Sequence, residues 1–294
     1  VAANVIQQTL ACVAACAKMH TPYGATECLP VSTIEAAEIL GETAAATDNG
    51  AGVCVGRKFD SIDWRVIKIS DNPLTSIDEA EELPQREIGE LIVRGPQVSP
   101  EYVTRRDANA IAKTRDATPD EHTSSVSNWH RVGDVGYFDE QGRFWYCGRK
   151  SQRVETASGP MFTECVEAIF NRHPDVTRAA LVGIGLPNDQ LPVVAIQFQD
   201  HIRVTRYSGR DAFADFQSLA EKIDSPSIPL DWLDFDDMPV DIRHNAKINR
   251  ERLRGSTAFG ILAKATVFDP ELVCRAKLTR ENQPSRPCDL VRNS

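Results

Sequence analysis

Several features are scarce or missing in this chain of 294 residues. No apolar run is long enough to cross a membrane, and the N-terminal one is broken by Gln7, Gln8 and Lys18. The same run lacks the layout of a signal peptide, and it starts at Val1 like a chain entered in mid-helix. There is no dense block of lysine and arginine. With a formal net charge of −9, this argues against a nucleic-acid surface. Eight cysteines are scattered along the chain; they form no C-x-x-C, and none stands beside a histidine at zinc-like spacing. Cys12 and Cys16 would share a helix face, but two sulfurs do not close a metal site. Reduced thiols in a cytoplasmic protein are the expectation.

What is present is an ordinary globular composition, 41% apolar and 26% charged. The length exceeds a typical single domain, so two units are expected. Residues 1–19, rich in Ala and Val, read as a helix. The alternation in Trp64–Ile69 reads as a half-buried strand, and Gly89–Gly95 as a short strand bounded by glycines. Residues 104–128 read as a helix fragment followed by an exposed loop. Residues 129–149 read as a hairpin turning at Asp139–Gly142. Beyond it, a helix is predicted from about Thr163 to Arg172, strands at 179–184 and 193–198, and a helix near 210–223. The change of character places a domain junction near 149–152. Past about 264 the prolines and polar residues predict a poorly ordered tail. Leu181–Pro187 offers a strand followed by Gly-x-Gly, but the third glycine is missing and Pro187 interrupts the helix start, so a strand-to-turn reading wins.

The most informative stretch is Tyr23-Gly24-Ala25-Thr26-Glu27. An aromatic ring, a flexible glycine, a hydroxyl and a carboxylate in succession can stack on a base, admit a phosphate, bond it and hold Mg²⁺. A turn with a salt-bridging glutamate would read the same way. Three further polar signatures follow in order: Gly133-Asp134, Gly148-Arg149 and Asn245-Ala246-Lys247.

Taken with Gly89-Glu90-Leu91, Arg94-Gly95-Pro96 and Arg131–Gly136, these motifs resemble the C-terminal half of the adenylate-forming (AMP-binding) superfamily of acyl-CoA synthetases, luciferases and peptide-synthetase adenylation domains. The resemblance runs from Thr21 to about Leu253. The wording of Thr21–Pro30 and Gly148–Thr156 is most similar to the branch of bacterial olefin-biosynthesis β-lactone synthetases and fatty-acid CoA ligases. The fold implied is α/β (α+β). It comprises the C-terminal part of a large α/β domain with a distorted β-barrel over 1–149, a small mobile α+β domain over 150–263, and a tail over 264–294.

The chemistry implied is attack of a carboxylate on the α-phosphorus of ATP with loss of pyrophosphate, so charge neutralisation and alignment carry most of the catalysis. By the resemblance, Glu27 is the Mg²⁺ ligand, Thr26 donates to the α-phosphate, and Tyr23 lies against adenine with Gly24 and Ala25 beside it. A surface carboxylate is the plain alternative for Glu27. Asp134 is expected on the ribose diol, although an Asp ending a strand before glycine would look alike. Arg149 is expected on ribose or phosphate, or as a surface ion pair. Lys247 matches the mobile lysine that enters and leaves the cleft, where a solvated lysine is the alternative. Lys150 and Ser151 fall at the hinge, with Ser151 in place of the usual Asp or Lys. Gly159 matches a loop glycine bordering the thioester-forming cleft, or a plain turn glycine.

One family element has no counterpart: the Ser/Thr/Gly-rich loop ending in lysine that holds the β- and γ-phosphates. The expectation is a truncated ligase, weak or inactive alone, with supply of the missing N-terminal portion by another chain as an open alternative. Expected ligands are ATP or AMP, Mg²⁺ and a small-molecule carboxylic acid, with CoA added in the thioester branch. Neither nucleic acid nor a membrane span is expected. A non-catalytic nucleotide- or partner-binding fragment is the alternative of another class.

Overall fold

The computed structural model describes residues 3–116, 128–199, 216, 218–223, 231–234, 238–241, 244–263 and 270–282. These belong to two compact units, Val1–Arg153 and Val154–Ser294.

The first unit is built on a six-stranded antiparallel sheet. Its strands are β3 (Val53–Cys54), β5 (Asp63–Ile67), β6 (Gly89–Arg94), β7 (Lys113–Arg115), β8 (Asn128–Phe138) and β9 (Phe144–Arg149). They lie in the order β3-β9-β8-β6-β5, with β7 also pairing to β8. β8 and β9 are the hairpin read from residues 129–149, and Asp139 and Gly142 close its turn through backbone bonds. A smaller sheet of β1 (His20–Tyr23), β2 (Ser32–Glu35) and β4 (Arg57–Lys58) brings the Tyr23 turn against the same core. That core comprises Cys28, Val31, Ile62, Val66, Leu91, Val93, Val132 and Phe144, with Tyr23 and Ala25 packed on it.

The distorted barrel expected for this part is not found: among the described residues the sheet is open, with β3 and β5 at its two ends. The N-terminal helix is also shorter than predicted, ending at Leu10 instead of running to residue 19. Ile6 is buried, but positions 11–18 are all exposed, so high propensity has no apolar face to support it there. The polar stretch 104–128 gives a short helical segment, Asn109–Ala112, and then β7; residues 117–127 lie outside the described residues.

The second unit is a sheet covered on both faces. β10 (Val154–Thr156) and β11 (Gly159–Met161) form a small hairpin. β12 (Val176–Leu186) pairs antiparallel with β13 (Asp189–Phe198), which pairs parallel with β14 (Asp231–Asp234). The period-2 alternation sorts side chains to opposite faces. Ala179, Leu181, Val194 and Ile196 face the helix Thr163–Asn171, whose Val166, Ile169 and Phe170 join them. Ala180, Val182, Ile184, Val193 and Ala195 face the helices Arg250–Ala263 and Pro270–Glu281. The Gly-x-Gly at 183–185 ends β12 and runs into a tight turn where Asn188 takes φ 64°. It is a hairpin and not a dinucleotide loop.

The tail prediction needs correcting. Residues 270–281 form a helix that buries Leu272, Ala276 and Thr279, and the Thr279 hydroxyl accepts the Gly185 N–H at 2.7 Å. Residues 264–269 and 283–294 lie outside the described residues, as does half of the stretch 210–223 predicted to be helical. Two short strands, β15 (Val240–Asp241) and β16 (His244–Ile248), pair with each other.

Gly136 is where β8 passes β9 most closely. A Cβ there would sit 2.1 Å from the Trp145 carbonyl oxygen and 2.6 Å from the Phe144 ring. Backbone cannot retreat cheaply, so Gly136→Ala should destabilise the first unit by about 1–3 kcal/mol, read as a lower denaturation midpoint by tryptophan fluorescence.

Candidate nucleotide site

The Tyr23–Glu27 turn and the β8–β9 hairpin meet at Asp134. Tyr23 ends β1, and its ring rests on Phe144 and Tyr146 at centroid separations of 6.0 and 6.2 Å. Its hydroxyl donates to Asp134 Oδ2 at 2.5 Å, and burial, then the neighbouring Asp134 charge, keep the phenol protonated. Arg149 stands directly opposite Asp134 across the hairpin, its guanidinium 2.9 Å from Oδ1 and 3.0 Å from the Val132 carbonyl it donates to. Asp134 is 5% exposed, whereas the Arg149 side chain is 42% exposed. Each carboxylate oxygen can accept more than one bond, so these contacts fix Asp134 without exhausting it.

The turn itself is tight. A Cβ on Gly24 would come within 2.9 Å of the Cys28 carbonyl oxygen. Ala25 packs on the core, Thr26 is exposed, and Glu27 is half-buried. Glu27 Oε1 accepts the Tyr102 hydroxyl at 2.7 Å, and the Glu27 carbonyl accepts the Ser99 N–H at 2.7 Å. Burial alone would raise the Glu27 carboxyl. The Tyr102 hydroxyl, a local backbone N–H, His130 and Lys113 outweigh it and hold the group below the ordinary carboxylate range. Burial raises the Cys28 thiol, and the charges of Glu27 and Asp134 raise it further. His130 feels both Glu27 and Arg149. The structure therefore gathers Tyr23, Glu27, Asp134 and Arg149 in one neighbourhood of the first unit.

Lys150 and Ser151 open a 3₁₀ turn, Lys150–Gln152, directly after β9. Ser151 is exposed, but Lys150 is tied down: its ammonium reaches the Ser70 carbonyl at 2.9 Å and Glu90 at 3.0 Å. Glu90 also takes Arg131 at 2.6 Å, with both side chains 1% exposed, and Arg153 pairs with Asp71. Lys247 lies in the second unit, exposed on β16. Gly159 opens β11 at φ 126°, with open space around it.

Sequence reasoning missed Tyr102, Lys113 and His130, which come from the loop after β6, from β7 and from β8. Lys113 donates to the Ser99 carbonyl and lies 5.6 Å from the Tyr102 ring centroid, and His130 meets the same ring edge-on at 6.3 Å. Lys113 also lines a cavity of about 430 Å³ with Pro73, Pro100, Asn109 and Arg115. Glu27 and Asp134 are not among that cavity's lining residues, and the hydrogen-bonded cluster is the better guide to chemistry.

Among the described residues no group of three or more His, Cys, Asp or Glu is arranged to hold a metal ion, and no helix is long and apolar enough to cross a membrane. A lone carboxylate still suits Mg²⁺, which keeps several waters and is bound through one or two carboxylates plus phosphate.

No family model matches the chain. Curated relatives do. It is 45% identical over 238 residues to the olefin β-lactone synthetase of Stenotrophomonas maltophilia, covering 81% of this chain and 42% of that protein. It is 26% identical over 175 residues to the 2-succinylbenzoate–CoA ligase of Arabidopsis thaliana, covering 58% and 28%. Among solved structures, the O-succinylbenzoate coenzyme A synthetase of Bacillus subtilis in complex with ATP and magnesium superposes with TM-score 0.60 at 18% identity, covering 86% of this chain and 44% of that one. The chain thus spans less than half the length of these relatives. Fold and sequence likeness together define the C-terminal portion of an adenylate-forming enzyme. Within that class the likeness is to the olefin β-lactone synthetase and acyl-CoA ligase branch, as the motifs implied.

His130 supplies a test of this geometry. Burial, then the Lys113 charge, lowers its imidazole from the usual 6.5 to about 4, and its Nδ1 is bonded to the Ala112 carbonyl at 3.0 Å. Between those two pH values the unfolded chain holds a proton that the folded chain lacks. Stability should therefore fall as pH drops through 6.5 and stop falling near 4, by about 3 kcal/mol in all. In urea titrations across that window, His130→Asn should lose this part of the slope.

Proposed function

We propose that this chain carries the ribose-side and swinging-lysine parts of an ATP-dependent, AMP-forming carboxylic acid ligase. The observation that carries the reading is the Tyr23–Asp134–Arg149 constellation with Glu27 beside it. Asp134, fixed by a neutral phenol and one half-exposed guanidinium, is suited to accept the two hydroxyls of a ribose. Arg149, half-exposed, is suited to ribose or phosphate oxygens. Thr26, exposed in the turn, is assigned to the α-phosphate. Gly24 and Ala25 form the turn backbone beside the nucleotide, and the Tyr23 ring borders adenine. Glu27 would hold Mg²⁺, which when bound supplies neutralisation of the phosphate charge. Lys247, exposed on β16 in the second unit, is assigned to the cleft in one orientation of that unit, with Lys150 and Ser151 as the hinge. The tethering of Lys150 to Ser70 and Glu90 favours Ser151 as the rotating residue.

The parent reaction joins an acid carboxylate oxygen to the α-phosphorus as the bond to pyrophosphate breaks, giving an acyl-adenylate. In the lactone branch the acid's own β-hydroxyl oxygen then attacks the activated carbonyl, loses its proton and expels AMP. That step is intramolecular and needs no CoA. In the runner-up branch a CoA thiol attacks and a thioester results. The greater identity to the β-lactone synthetase, over more of the chain, favours the lactone with a β-hydroxy fatty acid as substrate. Nothing in the relatives favours supply of an N-terminal portion by a separate chain.

Calorimetric titration with AMP tests the reading. This chain should bind AMP, and Asp134→Ala should weaken binding by about tenfold or more. Unchanged affinity in that variant would remove the ribose assignment. Incubation with ATP, Mg²⁺, a β-hydroxy fatty acid and hydroxylamine separates a ligase from a nucleotide-binding fragment: trapped hydroxamate means activation, and AMP binding with no hydroxamate means binding alone.

A further inference from the structure

Glu27 is held by neutral donors on both its side chain and its main chain. No ion pair to Glu27 occurs among the described residues. Its side chain is bonded to a phenol, and its main chain is bonded to the loop that carries that phenol: Tyr102 O–H donates to Oε1 at 2.7 Å, and Ser99 N–H donates to the Glu27 carbonyl at 2.7 Å. Lys113 is close enough for its charge to act on Glu27, yet its ammonium is directed to the Ser99 carbonyl and hydroxyl.

Tyr102 is itself over-determined. Its backbone N–H donates to Asn109 Oδ1 at 2.7 Å, and its carbonyl accepts Asn109 Nδ2 at 3.0 Å, so one amide clamps both sides of the residue. Lys113 sits 5.6 Å from its ring centroid and His130 stands edge-on at 6.3 Å and 70°. Backbone, ring and hydroxyl are thus each fixed by a different element. A surface turn has no need of such support.

We propose that Tyr102 is a positioning residue that holds Oε1 of Glu27, and so directs the rest of the carboxylate toward a divalent cation bound with nucleotide phosphate. This rests on the assignment of Glu27 made under the proposed function. The physical logic is the choice of donor. A lysine or arginine in the same place would orient the carboxylate but cancel the charge that a cation needs. A phenol orients it and leaves the charge intact. Asn109, through its clamp on the Tyr102 backbone, supports the same geometry one step further out, as the outer partners of metal-binding carboxylates do.

The test uses this chain and its Tyr102→Phe, Asn109→Ala and Glu27→Gln variants, with Mn²⁺ standing in for Mg²⁺. Binding of Mn²⁺ with ATP is followed by electron paramagnetic resonance, and binding of AMP without divalent cation by calorimetry. Tyr102→Phe should weaken Mn²⁺–ATP binding by about tenfold and leave AMP binding unchanged, with Asn109→Ala acting in the same direction to a smaller extent. A merely structural role would lower both affinities together, and that result overturns the proposal. If Tyr102→Phe binds Mn²⁺–ATP as the parent does while Glu27→Gln weakens it, the positioning role fails and the Glu27 assignment stands. If Glu27→Gln has no effect, or the parent does not bind Mn²⁺–ATP, the assignment fails and takes the positioning role with it. The hydrogen bond can also be read without nucleotide. In ¹³C-glutamate-labelled chain the Glu27 carboxyl resonance, assigned through Glu27→Gln, should show a hydroxyl H/D isotope shift that Tyr102→Phe abolishes. Its absence in the parent would overturn the proposal directly.

Discussion

The hydrogen bond from Tyr23 to Asp134 joins residues 111 positions apart, and the site in the first unit depends on it. Closing a loop of that length costs conformational entropy that one hydrogen bond cannot offset. The closure is carried by apolar packing around it: the Tyr23 ring on Phe144 and Tyr146, Cys28 and Val31 in the core behind the turn, and Val132 from β8. The polar contact then selects one arrangement among those the core would tolerate. Because the phenol is buried, losing Asp134 would strand its hydroxyl. Asp134 is fixed from a second direction by Arg149, and that pair is set by register alone, since the two residues face each other across β8 and β9.

Much of this was legible in the sequence, and the reason is local. Turn glycines, the hairpin at 129–149 and the alternation along β12 and β13 are written in contiguous residues, and each predicts its own geometry. The quintet is equally contiguous. What the sequence did not disclose depends on contacts between distant segments. Tyr102 reaches Glu27 across 75 positions, and its neighbours Lys113 and His130 arrive from two further strands. No spacing rule links them. The helix over 270–281 was missed for a related reason. Its charged residues interrupt the apolar pattern; Leu272 and Ala276, one turn apart, mark the buried side with Val273 beside them, and Thr279 joins through a bond to Gly185. The opposite error was made at the N-terminus, where Ala-rich propensity extended a helix beyond Ile6 into positions with nothing to pack against. The open sheet shows the same limit: strands can be read one by one, but whether their ends meet is a property of the whole.

Several carboxylates are held by full positive charges and serve the scaffold. Glu90 faces Arg131 and Lys150 together in a region excluded from water, and the backbone carbonyls of Ser70 and Asn72 take up further donors of the two cations. Glu167 receives both nitrogens of Arg250 at 2.6 and 2.9 Å and the N–H of Leu181, which ties the helix Thr163–Asn171, β12 and the start of the helix Arg250–Ala263 to one another. Asp139 caps its own hairpin turn with Arg143 and Trp145. In each the negative charge meets a full positive charge at short range, so little field escapes. Such groups organise the fold at a desolvation cost and have little left to offer a ligand.

Glu27 and Asp134 differ in kind. One carboxylate is bonded to a phenol, and the other contacts a phenol and a half-exposed guanidinium. Neutral donors restrict where the oxygens point without removing the charge, and a half-exposed guanidinium is partly screened by solvent. In a chain whose net charge is −9, two carboxylates held close together add to the local negative potential. Their proximity becomes reasonable when a ligand supplies the balancing groups: hydroxyl donors for one, a phosphate-bound cation for the other.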